Sequence, residues 1–423
     1  MKRYFFILGR NPDLSVLELI SVFDNRTIPY KICLVSREAG IFELGEKNQI
    51  SELIKIFGGT VKIGEIMDEI GFSDDYSEFE KILSASNLIK KYLPSIEGKA
   101  HFGISIYDVG GDNLYLSKIT SQLKTLNIQI KDNLREKGIH AGFVKIKNRF
   151  LSSVSVEKNQ LINKGMELVI LVSKEKLLFG KSLRVQEFSD FSLRDVGRPY
   201  RDKKSGIIPP KLARMMINIA QVDRGDILLD PFCGSGTLLQ EAVVLGYKHI
   251  IGSDISAKAI ADTKNNLNWL FGQFQELKRE IYDMNLIQAD VSNLYSSIKE
   301  ARIGAIITEP YLGPPFSHKP GINEVKETIS NLSRLYLKAF TQFSKILDPD
   351  GRVVIIFPCF EISGNLFFLD ILQDIRNLGF ETHHYKIDNS WSSYLKFTKR
   401  GSIIYSSEIK FFQREILSFV KIK

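Results

Sequence analysis

The sequence predicts an α/β protein whose C-terminal half is a doubly wound, mostly parallel sheet, preceded by small α/β modules. Three observations carry this expectation. From residue 207 onward, short apolar runs alternate with helix-length amphipathic segments; four successive runs end in an acidic residue or just before one; and residues 1–186 show the same mixture in shorter units. With 423 residues, 44% of them hydrophobic and 25% charged, the chain can fill two or three buried cores at roughly 150 residues per domain, which excludes wholesale disorder.

Lys2 to Leu8 is too short for a secretion signal, runs into Arg10 and has no small-residue cleavage site behind it, so it reads as a first strand. A helical pattern over Leu14 to Phe23 and a strand over Lys31 to Val35 complete a module spanning 1–95, with a soft boundary after the acidic stretch Asp74 to Glu80. The second module, 96–186, opens with a strand at Phe102 to Tyr107 and a long helical pattern from Leu114 to Arg135. Extended segments follow at Phe143 to Lys147, Ser152 to Glu157, Glu167 to Val172 and Leu177 to Lys181. Residues 131–186 hold 12 Lys/Arg against 5 Asp/Glu, so this segment carries nearly all of the net charge of +8. Lys145, Lys147 and Arg149 recur at every second position and on a strand would share one face, with Lys158 and Lys164 close behind. Such a patch suits a polyanion; a lysine-protected edge strand has the same spacing.

Residues 187–206, with Arg194, Arg198 and Arg201, read as a charged connection to the domain at 207–423. There Pro209-Pro210 opens a helix over Leu212 to Ala220. Strands are expected at Ile227 to Asp230, His249 to Ser253, Asn285 to Ala289, Gly304 to Thr308 and Arg352 to Pro358. Helices are expected between them, near Thr237 to Leu245, Ala257 to Leu270, Tyr295 to Ala301 and Glu327 to Leu347. Strands separated by helices make a parallel sheet whose ligand crevice lies at the strands' carboxyl ends. Thr382 to Ile387 and Ser402 to Ser406 have no obvious helix between them and are expected to close the sheet as an antiparallel hairpin.

The strand ends carry the chemistry. Asp230-Pro231-Phe232-Cys233-Gly234-Ser235-Gly236-Thr237 places an acid, a glycine loop and a helix start in succession. The loop lacks both the third glycine of a dinucleotide fingerprint and the Gly-Lys-Ser/Thr of a P-loop. Asp254, followed by Ile255, ends the next strand, where a carboxylate can take both hydroxyls of a ribose. Asp290, followed by Val291, ends the third, in reach of an adenine amino group. Each acid alone is an ordinary helix cap; three at successive strand ends point to a nucleoside. The fourth strand ends in Thr308-Glu309-Pro310-Tyr311, where an acceptor, a proline and an aromatic ring suit methyl transfer to an exocyclic base amine. Oxygens accepting that amine's two N–H bonds draw its lone pair out of the ring, and Tyr311 or Phe316 can stack on the base.

Together these residues resemble class I S-adenosylmethionine-dependent methyltransferases of the amino-methylating branch. Arg198-Pro199-Tyr200-Arg201-Asp202 and Ser205-Gly206-Ile207-Ile208-Pro209-Pro210-Lys211-Leu212-Ala213 resemble the lead-in of THUMP-domain tRNA guanosine-N2 methyltransferases that modify guanosine 10. The resemblance is strong over about 187–360. It implies a ferredoxin-like module at 1–95, a THUMP-like module at 96–186 and a Rossmann-like catalytic domain at 207–423. It further implies S-adenosylmethionine as cofactor, tRNA as partner and, as for some relatives, a small activating subunit. Asp230, Phe232, Gly234, Gly236, Thr237, Asp254, Ile255, Asp290 and Val291 would then line the cofactor site. Glu309, Pro310 and Tyr311 would be catalytic, and Lys145, Lys147, Arg149, Lys158, Lys164, Arg198 and Arg201 would face RNA. The family's turn usually reads Asp/Asn-Pro-Pro-Tyr/Phe, so Glu309 is one methylene longer and one proline is missing.

Cys33, Cys233 and Cys359 are too scattered for a disulfide framework or a zinc site, which suggests a reducing, cytoplasmic compartment. Pro358-Cys359 looks like a cytosine-C5 nucleophile but follows the fifth strand, where inert packing is the commoner role. The six histidines show no metal-ligand spacing, and no apolar run approaches the roughly 20 residues of a membrane span. Two alternatives stand beside the tRNA reading: adenine-N6 or cytosine-N4 methylation of DNA, and a non-catalytic RNA-binding protein on the same fold.

Overall fold

Residues 1–45, 50–72, 77–93, 99–146, 148–201, 207–298, 302–316, 318–385, 395–405 and 411–422 are described by a computed structural model of the chain. Two compact units emerge, Met1–Val16 with Thr27–Phe188 and Leu17–Arg26 with Ser189–Lys423.

In the first unit, β1 (Lys2–Leu8), β2 (Tyr30–Val35), β3 (Ala39–Leu44) and β4 (Thr60–Gly71) form one half of a sheet, and β5 (Ala100–Asp108), β6 (Ala141–Phe143), β7 (Gly165–Val172) and β8 (Lys176–Val185) the other. The order is β2-β3-β1-β4-β8-β7-β5-β6, so segments 1–95 and 96–186 join in one eight-stranded sheet through the antiparallel β4–β8 pair. All of β7 is buried. Its Leu168 and Ile170 pack with Phe102 and Phe179 on one side, and Val169 and Leu171 with Phe5 and Ile41 on the other. A strand covered on both faces reads as a continuous apolar run rather than an alternation.

Two expectations fail here. Ser152 to Glu157 is helical over Ser153–Lys158, because the Ser152 hydroxyl caps the Ser155 N–H and draws the following valines into a turn. Strand β6 ends at Phe143; residues 144–146, 148 and 149 are not in a strand, and Lys147 lies outside the described residues. Lys145 and Arg149 of the expected basic face therefore do not lie on a strand. The long helical pattern is two helices, Asn113–Ser121 and Leu123–Glu136, meeting at Gln122.

In the second unit, β9 (Ile227–Asp230), β10 (His249–Asp254), β11 (Asp283–Gln288), β12 (Ile303–Thr308) and β13 (Leu347–Ile362) run parallel in the order β11-β10-β9-β12-β13. The chain moves outward from β9 to β11, then returns to lay β12 on β9's free side. The β9/β12 border is the switch point, where the carboxyl ends of adjacent strands open a crevice. The helix Thr237–Leu245 follows β9, Ala257–Gln273 follows β10 behind an N-cap by Ser256, and the 25-residue Ile322–Ile346 follows β12. Val325, Leu332, Tyr336, Phe340 and Phe343 of the last share one helical face and pack against Ile306, Val353, Ile355 and Phe357. At about 1.5–3 kcal/mol for each fully buried large side chain, this stripe anchors the element that flanks the fourth strand end.

Antiparallel strands β14 (Asn365–Phe367), β15 (Phe380–Thr382), β16 (Ile403–Tyr405) and β17 (Phe412–Lys421) complete the sheet. The expected partners are corrected: β15 and β16 each pair with β17 rather than with one another, and the closing hairpin is β16–β17. The long closing strand β17 lies on β13 from Phe412 to Val420; positions 386, 387 and 406 of the expected hairpin lie outside the described residues.

Candidate active site

Asp230 ends β9 with 1% exposure. Its Oδ1 accepts from the Phe232 N–H at 3.2 Å and from the Thr308 hydroxyl at 2.7 Å, tying the carboxyl end of β9 to that of β12. Burial pushes its carboxyl up to about 7. The loop that follows turns through Gly234 (φ +51°) and Gly236 (φ +84°), backbone that side chains rarely adopt. A Cβ on Gly236 would sit 2.8 Å from the Thr263 methyl, so this loop is held against the helix Ala257–Gln273. That helix also supplies the clamps: Thr263 Oγ1 donates to the Gly234 carbonyl at 2.8 Å, and Asn266 Nδ2 donates to the carbonyls of Ser235 and Tyr200.

Asp254, at the end of β10, accepts from the Gly234 N–H at 3.0 Å and the Ser256 N–H at 2.9 Å, one bond to each oxygen. Ile255 beside it is 66% exposed. Asp290 follows β11 and is exposed; it caps the turn beginning at Val291 by accepting from the Ser292 N–H, which holds its carboxyl below the usual range. Val291 is buried in the core. The predicted cofactor residues thus meet at three adjacent strand ends, with Asp230 and Val291 as supports and Asp254, Ile255 and Asp290 at the rim.

At the fourth strand end, the Glu309 side chain is mostly buried and Pro310 is buried, whereas Tyr311 is 52% exposed. The fully buried Tyr336 donates its hydroxyl to the Tyr311 carbonyl at 2.9 Å, holding the turn against the long helix. Gly313 (φ +109°) then directs the chain along that helix. Tyr311, Pro314, Phe316, Thr328 and Asn331 are among the residues lining a cavity of about 440 Å³ next to the turn. Phe316 meets Phe360 edge-on, with ring centroids 6.1 Å apart. Cys359 is buried and its thiol is pushed up to about 12 by burial, so it stays protonated; Cys233 is likewise shifted upward.

The basic residues separate into two groups. Lys145, Lys158 and Lys164 are exposed. Arg149 pairs with Glu38 and lies beside Phe150, which stacks on Tyr107 at 5.2 Å. Arg198 is corrected: at 3% exposure it donates to the Thr237 hydroxyl at the start of the helix after the glycine loop, out of reach of a polyanion at the surface. Arg201 is half-buried and lies 3.9 Å from Asp195. Sequence reasoning missed Thr263, Asn266, Tyr336 and Arg414. Thr263 and Asn266 are polar residues three apart on one helix face, a faint signal; Arg414 is 105 positions from Glu309, with which it pairs, and had none.

Arg198 also tests the fit of S-adenosylmethionine. Its Nε and Nη2 are buried without partners among the described residues, beside a helix N-terminus that attracts negative charge. A carboxylate is the group that satisfies both, and the residues fit the cofactor: Arg198 and the glycine loop would hold its amino-acid end, Asp254 its ribose, and Ile255 with Asp290 its adenine. Among the described residues, no group of three or more His, Cys, Asp or Glu is placed to hold a metal, and no helix is long and apolar enough to cross a membrane.

Comparison with known proteins bears on the family and the fold. Residues 198–363 match the family described as RMKL-like, methyltransferase domain, and residues 120–265 one described as DNA methylase. The crystal structure of TrmN from Thermus thermophilus is similar with a TM-score of 0.56 and 15% identity, over 99% of this chain and 100% of that one, a likeness of fold. The tRNA (guanine(10)-N2)-dimethyltransferase of Methanocaldococcus jannaschii is 32% identical over 200 residues, 47% of this chain. This chain spans about half the length of that relative (53%) and 28% of the Methanothermobacter thermautotrophicus protein of the same name, which is 36% identical over 108 residues. A shorter relative, the "Probable tRNA (guanine(10)-N2)-dimethyltransferase" of Methanothermococcus thermolithotrophicus, is 31% identical over 145 residues, 34% of this chain and 77% of its own length. On the strength of that coverage, the chain belongs to the tRNA (guanine(10)-N2)-dimethyltransferase family.

Proposed function

We propose that the protein transfers methyl groups from S-adenosylmethionine to the exocyclic N2 of a guanosine in tRNA, at position 10. The observation that carries this is the meeting of the Asp230 loop, Asp254 and Asp290 with the Glu309-Pro310-Tyr311 turn at neighbouring strand ends. When bound, S-adenosylmethionine supplies an electrophilic sulfonium methyl. The chain's own part is alignment: the Glu309 carboxylate and the Pro310 carbonyl accept the amine's N–H bonds, and the exposed Tyr311 ring stacks on the extruded base. As the new N–C bond forms, with the sulfonium's S–CH3 bond breaking to leave a neutral thioether, the amine would give up one proton to water, and a second cycle at the same nitrogen would yield the dimethyl product.

Residues 1–95 and 96–186 act in this reading as the ferredoxin-like and THUMP-like modules that grip tRNA, with Lys145, Lys158 and Lys164 neutralising phosphates. Free cysteines at 33, 233 and 359 suit a cytoplasmic enzyme. A small activating subunit is a further partner to test by copurification. The DNA reading is weaker, because the DNA methylase match stops at residue 265, before the Glu309 turn.

Incubation with radiolabelled S-adenosylmethionine and unmodified tRNA, with duplex DNA in parallel, tests the proposal after nucleoside digestion and mass spectrometry. Labelled N2-methylguanosine and its dimethyl form at one tRNA position are expected. Label in DNA alone would overturn the substrate, and cofactor binding without transfer would favour a binding protein. The Glu309→Ala variant should bind the cofactor normally and lose transfer by at least ~100-fold.

A further inference from the structure

Glu309 does not stand alone on its turn. The Arg414 guanidinium reaches it from β17, with Nε 2.5 Å from Oε1 and Nη2 3.4 Å from Oε2. The pair is sheltered: the side chains are 3% and 12% exposed. Arg414 faces Pro358 of β13 in the strand register, so its side chain crosses β13's extension to reach the end of β12. Its neighbour Glu415 forms a separate network with Arg400 and Ser402. Among the described residues, Glu309 is the acceptor this guanidinium meets.

A glutamate is long and has three free torsions, which poorly suits an acceptor that must hold an amine to within a fraction of an ångström. A planar guanidinium that touches both carboxylate oxygens removes that freedom. It uses one lone-pair site on each oxygen and leaves the remaining sites for other donors. The buried, permanently charged arginine in turn keeps the carboxylate from swinging to another partner, since separating the pair would strand a charge away from water.

We propose that Arg414 is a positioning residue that fixes the Glu309 carboxylate for catalysis, an inference that rests on the methyltransferase function above. It assigns a catalytic task to the closing antiparallel strand: β17 carries the fork that aims the turn at the end of β12.

Transfer of radiolabelled methyl to unmodified tRNA by Arg414→Met, Arg414→Lys, Glu309→Gln and the double variant Arg414→Met/Glu309→Gln tests this. The methionine variant should lose about 100-fold in kcat, as expected for an ångström-scale misplacement. Its S-adenosylmethionine Kd and tRNA KM should stay within about threefold of wild type. Lysine, which restores the charge without the fork, should recover part of the loss. In the Glu309→Gln background the same methionine change should add less than about threefold, since the two residues act as a unit. That comparison also serves if Arg414→Met alone fails to fold, because the double variant leaves no unpaired charge. Unchanged kcat in Arg414→Met, or an equal loss in both backgrounds, overturns the inference alone. A wild-type protein that methylates no nucleic acid overturns the function and the inference with it.

Discussion

Asp230 is a carboxyl group almost wholly removed from water, with a hydroxyl and one N–H as its partners. Its sequence position announced an acid at a strand end, but not that the acid would face inward and brace Thr308. The consequence can be measured. The folded chain holds this proton up to about pH 7, whereas an ordinary aspartate releases it near 3.8. Between those values the folded state binds more protons than the unfolded one, so stability falls as pH rises through that window and is level above it. Asp230→Asn removes the titration. The stability of wild type relative to this variant, from denaturant unfolding, should drop by roughly 3–4 kcal/mol between pH 4 and pH 8. A difference independent of pH would mean that Asp230 is ionised in the fold.

At the scale of elements, the glycine loop and the helix Thr237–Leu245 form a unit with left-handed glycines at both ends, Gly236 and Gly246. The two ends separate function from stability. Alanine at either position costs about 1–2 kcal/mol of backbone strain, but only at Gly236 does the new Cβ also press on Thr263, whose hydroxyl clamps the loop. Gly236→Ala should weaken S-adenosylmethionine binding at least ~10-fold by calorimetry, the equivalent of about 1.4 kcal/mol. Gly246→Ala should lower thermal stability with the Kd unchanged; equal effects on Kd would remove the loop from the cofactor site. The central strands and helices were legible because each carries its own signal: a β-branched run, a capping residue, an apolar stripe. The exceptions have two causes, one local and one long-range. Ser152 to Glu157 alternates like a strand but is captured by a serine cap, and the closing strands choose partners distant in sequence.

For the molecule as a whole, charge placement governs how nucleic acid would be met. The excess lies within residues 131–186, yet it is expressed through exposed Lys145, Lys158 and Lys164 rather than through one strand face. Replacing these three by alanine should weaken tRNA binding and reduce the slope of log K against log salt by roughly 2–3, close to one for each phosphate no longer neutralised. An unchanged slope in filter binding between about 50 and 200 mM salt, a range over which phosphate neutralisation dominates affinity, would return the lysines to a solvating role. Arg198 and Arg201, basic residues of the same kind in the sequence, should contribute little to this slope, because one is buried and the other half-buried.

By itself the sequence determined the α/β class, the parallel core of the second unit, and the four strand ends at which Asp230, Asp254, Asp290 and Glu309 stand. These depend on periodicity and on residues adjacent in the chain, which local physics specifies. Only the tertiary structure decided that 1–95 and 96–186 share one sheet, that β17 closes the other, that Arg198 bonds to Thr237 at the end of the glycine loop and that Arg414 grips Glu309. Each of these is a pairing between segments far apart in sequence. Such partners are selected by burial and charge compensation in the folded chain, and nothing local to either residue names the other.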